Sequence, residues 1–161
     1  FDLKHQAQTY SDCSVDESWL HFSVFYKWAS PLYKDGLFLD KDLLVKGNKH
    51  YSQSTCCFVP RTTNNLFREV APRDLPVGVR IKRGRYEAYS KMDGKYKYLG
   101  LHSTPTLAHK AWQMFKVERL RSEAHTLEED GFYAQKIIVA ILHRAELITQ
   151  DIEMGLITTL T

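Results

Sequence analysis

Basic and aromatic side chains alternate along three short segments of the chain, and this alternation constrains the fold more than any other feature of the sequence. Successive side chains of a β-strand point to opposite faces, so an alternating pattern predicts a strand with two different faces. The segments are residues 78–81, 85–91 and 95–101, separated by Gly84 and by the turn dipeptide Asp93-Gly94. The pattern therefore predicts a three-stranded antiparallel sheet.

A helix is predicted immediately after the third strand. Ser103 and Thr104 offer a capping hydroxyl, and Pro105 suits the first turn of a helix. Apolar residues then follow at helical spacing to about Ala124, which predicts a helix that covers one side of the sheet. The apolar residues are Leu107, Ala108, Ala111, Trp112 and Phe115. Strands and helix together form a predicted unit of residues 76–125.

Positive charge is concentrated in this unit. Residues 76–121 contain eleven Lys or Arg against three Asp or Glu, whereas the whole chain has a formal net charge of only +3. Residues 1–75 are balanced, and residues 122–161 are acidic. A positive field focused on a small unit raises the local concentration of a polyphosphate, so the distribution predicts a nucleic-acid partner. A solvated basic face is the simpler alternative.

One face of the predicted sheet combines cations with tyrosines. Alternation within residues 85–91 places Arg85, Glu87, Tyr89 and Lys91 on one side. The corresponding pairs on the neighbouring strands are Arg80 with Lys82 and Tyr96 with Tyr98. A sheet of this size fits the major groove of duplex DNA, where Arg and Lys contact phosphates and guanine edges. Alternatively, the tyrosines are ordinary cross-strand pairs.

Four short motifs in this unit resemble the APETALA/ethylene-response-factor type of DNA-binding domain. They are GVR at 78–80, GRYEAY at 84–89, YLG at 98–100 and A-x-x-A-W at 108–112. The resemblance implies that the sheet, and not the helix, lies in the major groove. The DNA contacts that it implies are Arg80, Lys82, Tyr89, Lys91, Tyr96 and Tyr98, with Arg83 and Arg85 near phosphates.

The part of the chain before Pro76 predicts a smaller α+β unit. Apolar residues at helical spacing predict one amphipathic helix over residues 14–29. Next comes a predicted strand over residues 37–44, which ends in a turn at Gly47-Asn48. It is followed by a second strand over 56–59 and a helix over 62–70. The segment 71–75 has a proline and no periodicity, so it predicts a boundary between two units.

Residues 39–65, LDKDLLVKGNKHYSQSTCCFVPRTTNN, resemble the HNH homing endonucleases of phages. Residues 12–28 are similar to the segment that precedes this site in phage members with an attached sheet domain of the type above. The resemblance implies a ββα-metal site with one divalent ion, Mg²⁺ or Mn²⁺, held by Asp40 and Asn64. It also implies that Asn48 supports the hairpin and that the reaction is hydrolysis of a phosphodiester.

Lys41 lies where the resemblance implies a catalytic histidine. A lysine with its ordinary pKa of about 10.4 is protonated at neutral pH and cannot accept a proton. Either burial lowers the pKa of Lys41, or His50 acts as the base, or the unit no longer cleaves DNA. A cationic Lys41 could instead bind a phosphate. The carboxylates of Asp40 and Asp42 could equally cap backbone amides of a turn.

The C-terminal residues 132–154 predict one more amphipathic helix, which either packs on one of the units or mediates self-association or binding of a protein partner. No apolar run approaches the roughly 18 residues that a membrane span needs, and no secretory signal is evident. Three cysteines form neither a CxxC pair nor a disulfide framework. We therefore expect an intracellular protein that does not associate with a membrane. If a phage encodes it, we expect it in the host-cell cytoplasm or nucleoid.

Taken together, the sequence predicts an α+β protein with three parts. A degenerate HNH-like ββα unit over 1–75 precedes a three-stranded antiparallel sheet packed on one helix over 76–125, and a C-terminal helical extension covers 126–161. The expected partner is double-stranded DNA. The expected function is that of a DNA-binding HNH-type homing endonuclease. The alternatives are a non-catalytic sequence-specific DNA-binding protein, or an assembly protein, derived from such a nuclease.

Overall fold

A computed structural model of the chain describes residues 12–67, 74–92 and 94–159, and it confirms the predicted α+β class. The chain divides into two compact units, residues 1–67 and residues 68–161. The predicted boundary at 71–75 lies mostly outside the described residues. The C-terminal helix belongs to the second unit, together with the three-stranded sheet.

In its described residues 12–67, the first unit contains two short sheets, a 3-10 helix and two α-helices. Its elements are β1 (Ser14–Val15), a 3-10 helix (Glu17–Leu20), α1 (Phe22–Ala29), β2 (Leu37–Asp40), β3 (His50–Tyr51), β4 (Cys57–Pro60) and α2 (Arg61–Phe67). β2 and β4 are antiparallel, with Asp40 opposite Cys57, and β1 and β3 are parallel. α2 begins directly after β4 and contacts both β2 and β4. The predicted order of strand, loop, strand and helix is therefore present.

The single helix predicted over residues 14–29 is wrong, because the segment is interrupted twice. The carboxylate of Asp16 accepts hydrogen bonds from the backbone N–H of Ser18 at 2.9 Å and from its hydroxyl at 2.6 Å, which starts a 3-10 turn. His21 then adopts an extended conformation, so α1 begins only at Phe22. The aromatic periodicity instead reflects a cluster of rings. The ring centre of Trp28 lies 4.6 Å from that of Trp19 and 5.6 Å from that of Phe58.

The second unit contains the predicted three-stranded antiparallel sheet, in the order β5-β6-β7. Its elements are β5 (Val79–Lys82), β6 (Arg85–Met92), β7 (Lys95–His102), α3 (Pro105–Asp130) and α4 (Gln135–Met154). One side of the sheet packs on α3 through a core of Val79, Ala88 and Ala108. A β-bulge between Ala88 and Tyr89 shifts the pairing of β6 with β7.

α3 starts as predicted and extends beyond its predicted end. The hydroxyl of Thr104 accepts a hydrogen bond from the backbone N–H of Leu107 at 3.2 Å, and Pro105 occupies the first turn. The helix continues to Asp130, where Gly131 ends it with a φ of 69°. Gly131 is well suited to this position, because a residue with a side chain rarely adopts a left-handed conformation.

α4 packs along α3 within the second unit, which is one of the alternatives predicted for the C-terminal helix. Its buried residues are Ile137, Ile138, Ile141, Ala145 and Ile148. Leu120 and Leu127 are among the buried residues of α3, the helix that α4 contacts. Among the helices of the described segments, none has both the length and the apolar character that crossing a bilayer requires.

Candidate nucleic-acid interface

The side of the sheet that faces away from α3 carries the cations and tyrosines that the sequence singles out. Val79 and Ala88 lie in the core with α3, so their strand neighbours Arg80 and Glu87 point to the opposite side. We call this side the outer face. Its members are Arg80, Lys82, Arg85, Glu87, Tyr89, Lys91, Tyr96 and Tyr98. Arg83 lies in the turn between β5 and β6, with a φ of 50°.

Glu87 lies at the centre of the outer face and is completely excluded from solvent. Its Oε1 accepts hydrogen bonds from Arg80 Nη2 at 2.7 Å and from Arg80 Nε at 3.1 Å. Its Oε2 lies 2.5 Å from Lys82 Nζ. The bond from Lys82, followed by the bond and charge of Arg80, lowers the pKa of Glu87 although burial opposes the shift. Glu87 is therefore a carboxylate that joins two cations of β5.

Tyrosine rings of β6 and β7 contact the same two cations. The guanidinium of Arg80 lies 4.6 Å from the ring centre of Tyr96 and 5.1 Å from that of Tyr89. These two rings stack with centres 5.8 Å apart and an interplanar angle of 24°. The ammonium of Lys82 lies 5.9 Å from the ring centre of Tyr98. Cation–π contacts of this kind fix the direction of a flexible cation.

The cations of the outer face are accessible to a partner in spite of these contacts. The side chains of Arg80 and Lys82 are 46% and 50% exposed. Arg85 and Lys91 are also exposed, and Arg85 Nη2 donates a hydrogen bond to the Leu101 carbonyl at 3.2 Å. The outer face is therefore a positively charged surface whose central side chains already have fixed positions.

In the first unit, the carboxylate of Asp40 stabilises the start of the loop that joins β2 and β4. Its Oδ1 accepts hydrogen bonds from the backbone N–H groups of Asp42 at 2.9 Å and Leu43 at 2.7 Å. This capping ends β2 at Asp40, four residues before the predicted end of the strand at Leu44. Asp40 is buried, and burial raises its pKa although the two N–H bonds oppose the shift. Of the two predicted roles of Asp40, the geometry shows the capping role.

Lys41 is held in the loop by an acid and by a backbone carbonyl. Its Nζ lies 2.7 Å and 2.8 Å from the two carboxylate oxygens of Asp42, and it donates a hydrogen bond to the Asn48 carbonyl at 2.7 Å. Burial favours the neutral amine, but the bond to Asp42 and the charge of Asp42 outweigh it, so the pKa of Lys41 is raised. A lysine with a raised pKa stays protonated at neutral pH, which argues against Lys41 as a catalytic base.

Asn48 makes three hydrogen bonds within the loop. Its Nδ2 donates hydrogen bonds to the carbonyls of Lys41 at 2.9 Å and His50 at 2.7 Å, and its Oδ1 accepts one from the His50 N–H at 3.1 Å. The His50 ring is exposed, and its Nδ1 lies 2.9 Å from Ser14 Oγ. Asn64 lies in α2, the helix that contacts both strands.

Two features of this loop oppose the binding of a divalent ion beside Asp40. One oxygen of Asp40 already accepts two backbone hydrogen bonds, and the adjacent Lys41 ammonium would repel a second cation. Over the described ranges, no three His, Cys, Asp or Glu side chains converge as metal ligands. We therefore derive no catalytic step through a metal ion from these residues.

Sequence reasoning placed Glu87 on the basic side of the sheet but did not foresee its burial. The signal is present, because Glu87 is the single acidic residue among the strand positions of β5 and β6. The register that sets Glu87 opposite Arg80 could be inferred from the glycine turn at Gly84. Burial, in contrast, depends on the three-dimensional positions of neighbouring side chains, of which Arg80 and Lys82 contact the two carboxylate oxygens of Glu87.

Comparisons with models of protein families, with curated proteins and with solved structures find no match to this chain.

Proposed function

We propose that this chain is a duplex-DNA-binding protein that contacts DNA through the outer face of its three-stranded sheet. The observation that carries the proposal is the set of half-exposed cations fixed by a buried acid and by stacked tyrosines. Cations in fixed positions fit a partner with a regular array of charges, and the phosphates of a duplex are such an array.

The arrangement of the tyrosines favours a duplex over a single strand. Proteins that bind single strands present aromatic rings on which unpaired bases stack. Here Tyr89 and Tyr96 stack on each other, and Arg80 covers both rings. The rings therefore serve to position a cation, which is the group that contacts phosphates and guanine edges in a groove.

The ββα unit is proposed to act as a structural part of this protein. Asp40, Lys41 and Asn48 all make hydrogen bonds that close the loop between β2 and β4. A carboxylate that caps backbone amides and a lysine paired with Asp42 support a scaffold better than a hydrolytic centre. On this proposal, DNA binding needs no divalent ion.

Binding of a fluorescent random-sequence duplex, followed by anisotropy over a series of salt concentrations, tests the proposal. Lys91→Ala removes an exposed cation of the outer face, and we expect a uniform loss of affinity and a salt slope reduced by about 1. Lys136→Ala is the matched control, because it removes one exposed cation from α4. Equal effects of the two variants, or no binding by the wild-type protein at low salt, would refute the proposal.

A metal-dependent nuclease is a second candidate, favoured by one specific observation. β2 ends at Asp40, β4 follows the loop, and α2 contacts both strands, which is the order that the HNH resemblance implies. Incubation of supercoiled plasmid with Mg²⁺ or Mn²⁺ distinguishes the candidates. Cleavage by the wild-type protein that is lost in Asp40→Asn would establish the nuclease. Intact plasmid under conditions where the protein binds DNA supports the non-catalytic proposal.

A further inference from the structure

Glu87 is a buried carboxylate at the centre of a surface otherwise formed by cations and tyrosines. Carboxylates are almost never fully buried unless they are paired. Glu87 meets this condition through Arg80 and Lys82, and its pairing with both residues fixes their side chains relative to each other. An acid at the centre of a DNA-binding surface lowers the overall attraction for phosphates, so its presence requires another explanation.

The contacts of Arg80 indicate what Glu87 contributes. Glu87 accepts hydrogen bonds from Nε and Nη2 of Arg80, so it contacts one edge of the guanidinium. The remaining N–H groups of Nη1 and Nη2 lie at the other end of a side chain that is 46% exposed. The central carbon of the guanidinium lies 5.1 Å from the ring centre of Tyr89 and 4.6 Å from that of Tyr96, so the two rings restrict the movement of the group. A guanidinium with a fixed plane and a fixed edge matches the paired acceptors of a guanine.

Resting on the proposed function, we propose that Glu87 is a positioning residue for sequence discrimination: it orients Arg80 and Lys82 so that the outer face distinguishes base pairs. Glu87 acts through these two cations and does not contact DNA itself. Its removal should therefore separate two properties of the protein. Attraction to any duplex should persist or increase, because a negative charge disappears, whereas preference for particular sequences should fall, because the cations lose their orientation.

The test uses the full chain and a duplex library with a randomised core. Sequences are first selected with the wild-type protein, and affinities are then measured for the selected and the unselected duplex. For Glu87→Gln we expect equal or higher affinity for the unselected duplex. We also expect the ratio of the two affinities to fall by roughly tenfold or more, the range for loss of one well-oriented base contact.

Glu118→Gln is the matched control, because it removes the same charge from an exposed position of α3. We expect it to leave the affinity ratio at the wild-type value. Arg80→Lys provides a second route that leaves Glu87 in place. It keeps the positive charge but loses the planar group, so the ratio of the two affinities should fall as it does for Glu87→Gln. If Glu87→Gln does not fold, the test relies on Arg80→Lys and its ratio of affinities for the selected and the unselected duplex.

The outcomes separate the inference from the proposed function. An unchanged affinity ratio in Glu87→Gln and Arg80→Lys, including one that results from a proportional loss of affinity for both duplexes, overturns the role of Glu87. Duplex binding by the wild-type protein without any selected sequence also overturns that role, while the proposed function stands. A wild-type protein that binds neither duplex refutes the proposed function itself.

Discussion

At the scale of single residues, Asp40 illustrates how the same carboxylate supports two different expectations. A strand-end aspartate is a common metal ligand, and it is also a common cap for a turn. Which role it has depends on the direction of the two N–H groups that follow it, and these point at Oδ1. Sequence spacing does not determine this direction, because it follows from the backbone conformation of the loop.

The capping role predicts different effects for two substitutions of Asp40. Asp40→Ala leaves the buried N–H of Leu43 without its acceptor, which should destabilise the first unit by about 1–3 kcal/mol. Asp40→Asn keeps an acceptor oxygen and should stay within about 1 kcal/mol of the wild-type protein. The exchange rates of the backbone amides of Asp42 and Leu43 measure this effect. We expect faster exchange in Asp40→Ala and not in Asp40→Asn. Equal exchange rates in the two variants would contradict the capping role.

His109 is a second buried polar residue with a defined set of partners. Its Nδ1 lies 2.8 Å from the Val77 carbonyl, and its Nε2 accepts a hydrogen bond from the Thr158 N–H at 3.0 Å. The ring is thus neutral, with the proton on Nδ1. Burial lowers the pKa of His109 below its ordinary value of 6.5, although the Val77 carbonyl and the charge of Asp151 oppose the shift.

This lowered pKa predicts how stability depends on pH. Between the folded pKa and 6.5, the unfolded chain binds more protons at this residue than the folded chain, so stability decreases as pH falls. His109→Gln removes this contribution. The difference in unfolding free energy between the wild-type protein and the variant should be largest above pH 6.5 and should narrow at lower pH. Urea titrations at several pH values measure it, and a difference that widens toward acid would contradict the assignment.

At the scale of elements, the three strands of the sheet could be predicted closely, and the N-terminal helix could not. The alternation and the glycine turns of the sheet are local signals, and each predicted strand lies within one or two residues of the observed one. In residues 14–29, aromatic residues at helical spacing suggested one helix, but the Asp16–Ser18 capping and the extended His21 interrupt it. Periodicity does not report such interruptions, because they depend on individual side-chain hydrogen bonds.

The junction between β5 and α3 depends on Gly78. Gly78 has a φ of 76°, and a Cβ at this position would lie 2.1 Å from the ring of Trp112. A glycine is therefore required both for backbone conformation and for the close approach of α3. Gly84 has nearly the same φ, 75°, but a Cβ there would meet no atom within 4 Å.

These two glycines provide a matched pair of variants. Gly84→Ala should lower the free energy of unfolding by roughly 1 kcal/mol, because it places a side chain in a left-handed conformation. Gly78→Ala should lower the free energy of unfolding by about 2 kcal/mol more than Gly84→Ala, because α3 must move away from the sheet. Thermal unfolding monitored by far-UV circular dichroism measures both changes. Equal losses would show that the contact with Trp112 does not limit the packing of this junction.

At the scale of the whole molecule, the sheet-bearing unit has a division of charge that the sequence already shows. The cations concentrate in residues 76–121, and the acids concentrate in residues 122–161. The structure adds that the cations of β5 form an organised surface with Glu87 and the tyrosines. Composition predicts a nucleic-acid partner, whereas only the three-dimensional contacts show that Arg80 and Lys82 are paired with Glu87 and the tyrosines.

The central claim is that duplex DNA lies against the outer face of the sheet, and amide NMR of the full chain tests it most directly. Titration with a random-sequence duplex should shift the amide signals of β5, β6 and β7 most strongly, with Arg80 and Lys91 among the largest changes. α4 provides the internal control, because it lies outside the sheet. Large shifts confined to α4 or to the first unit, or unchanged spectra at low salt, would contradict the account.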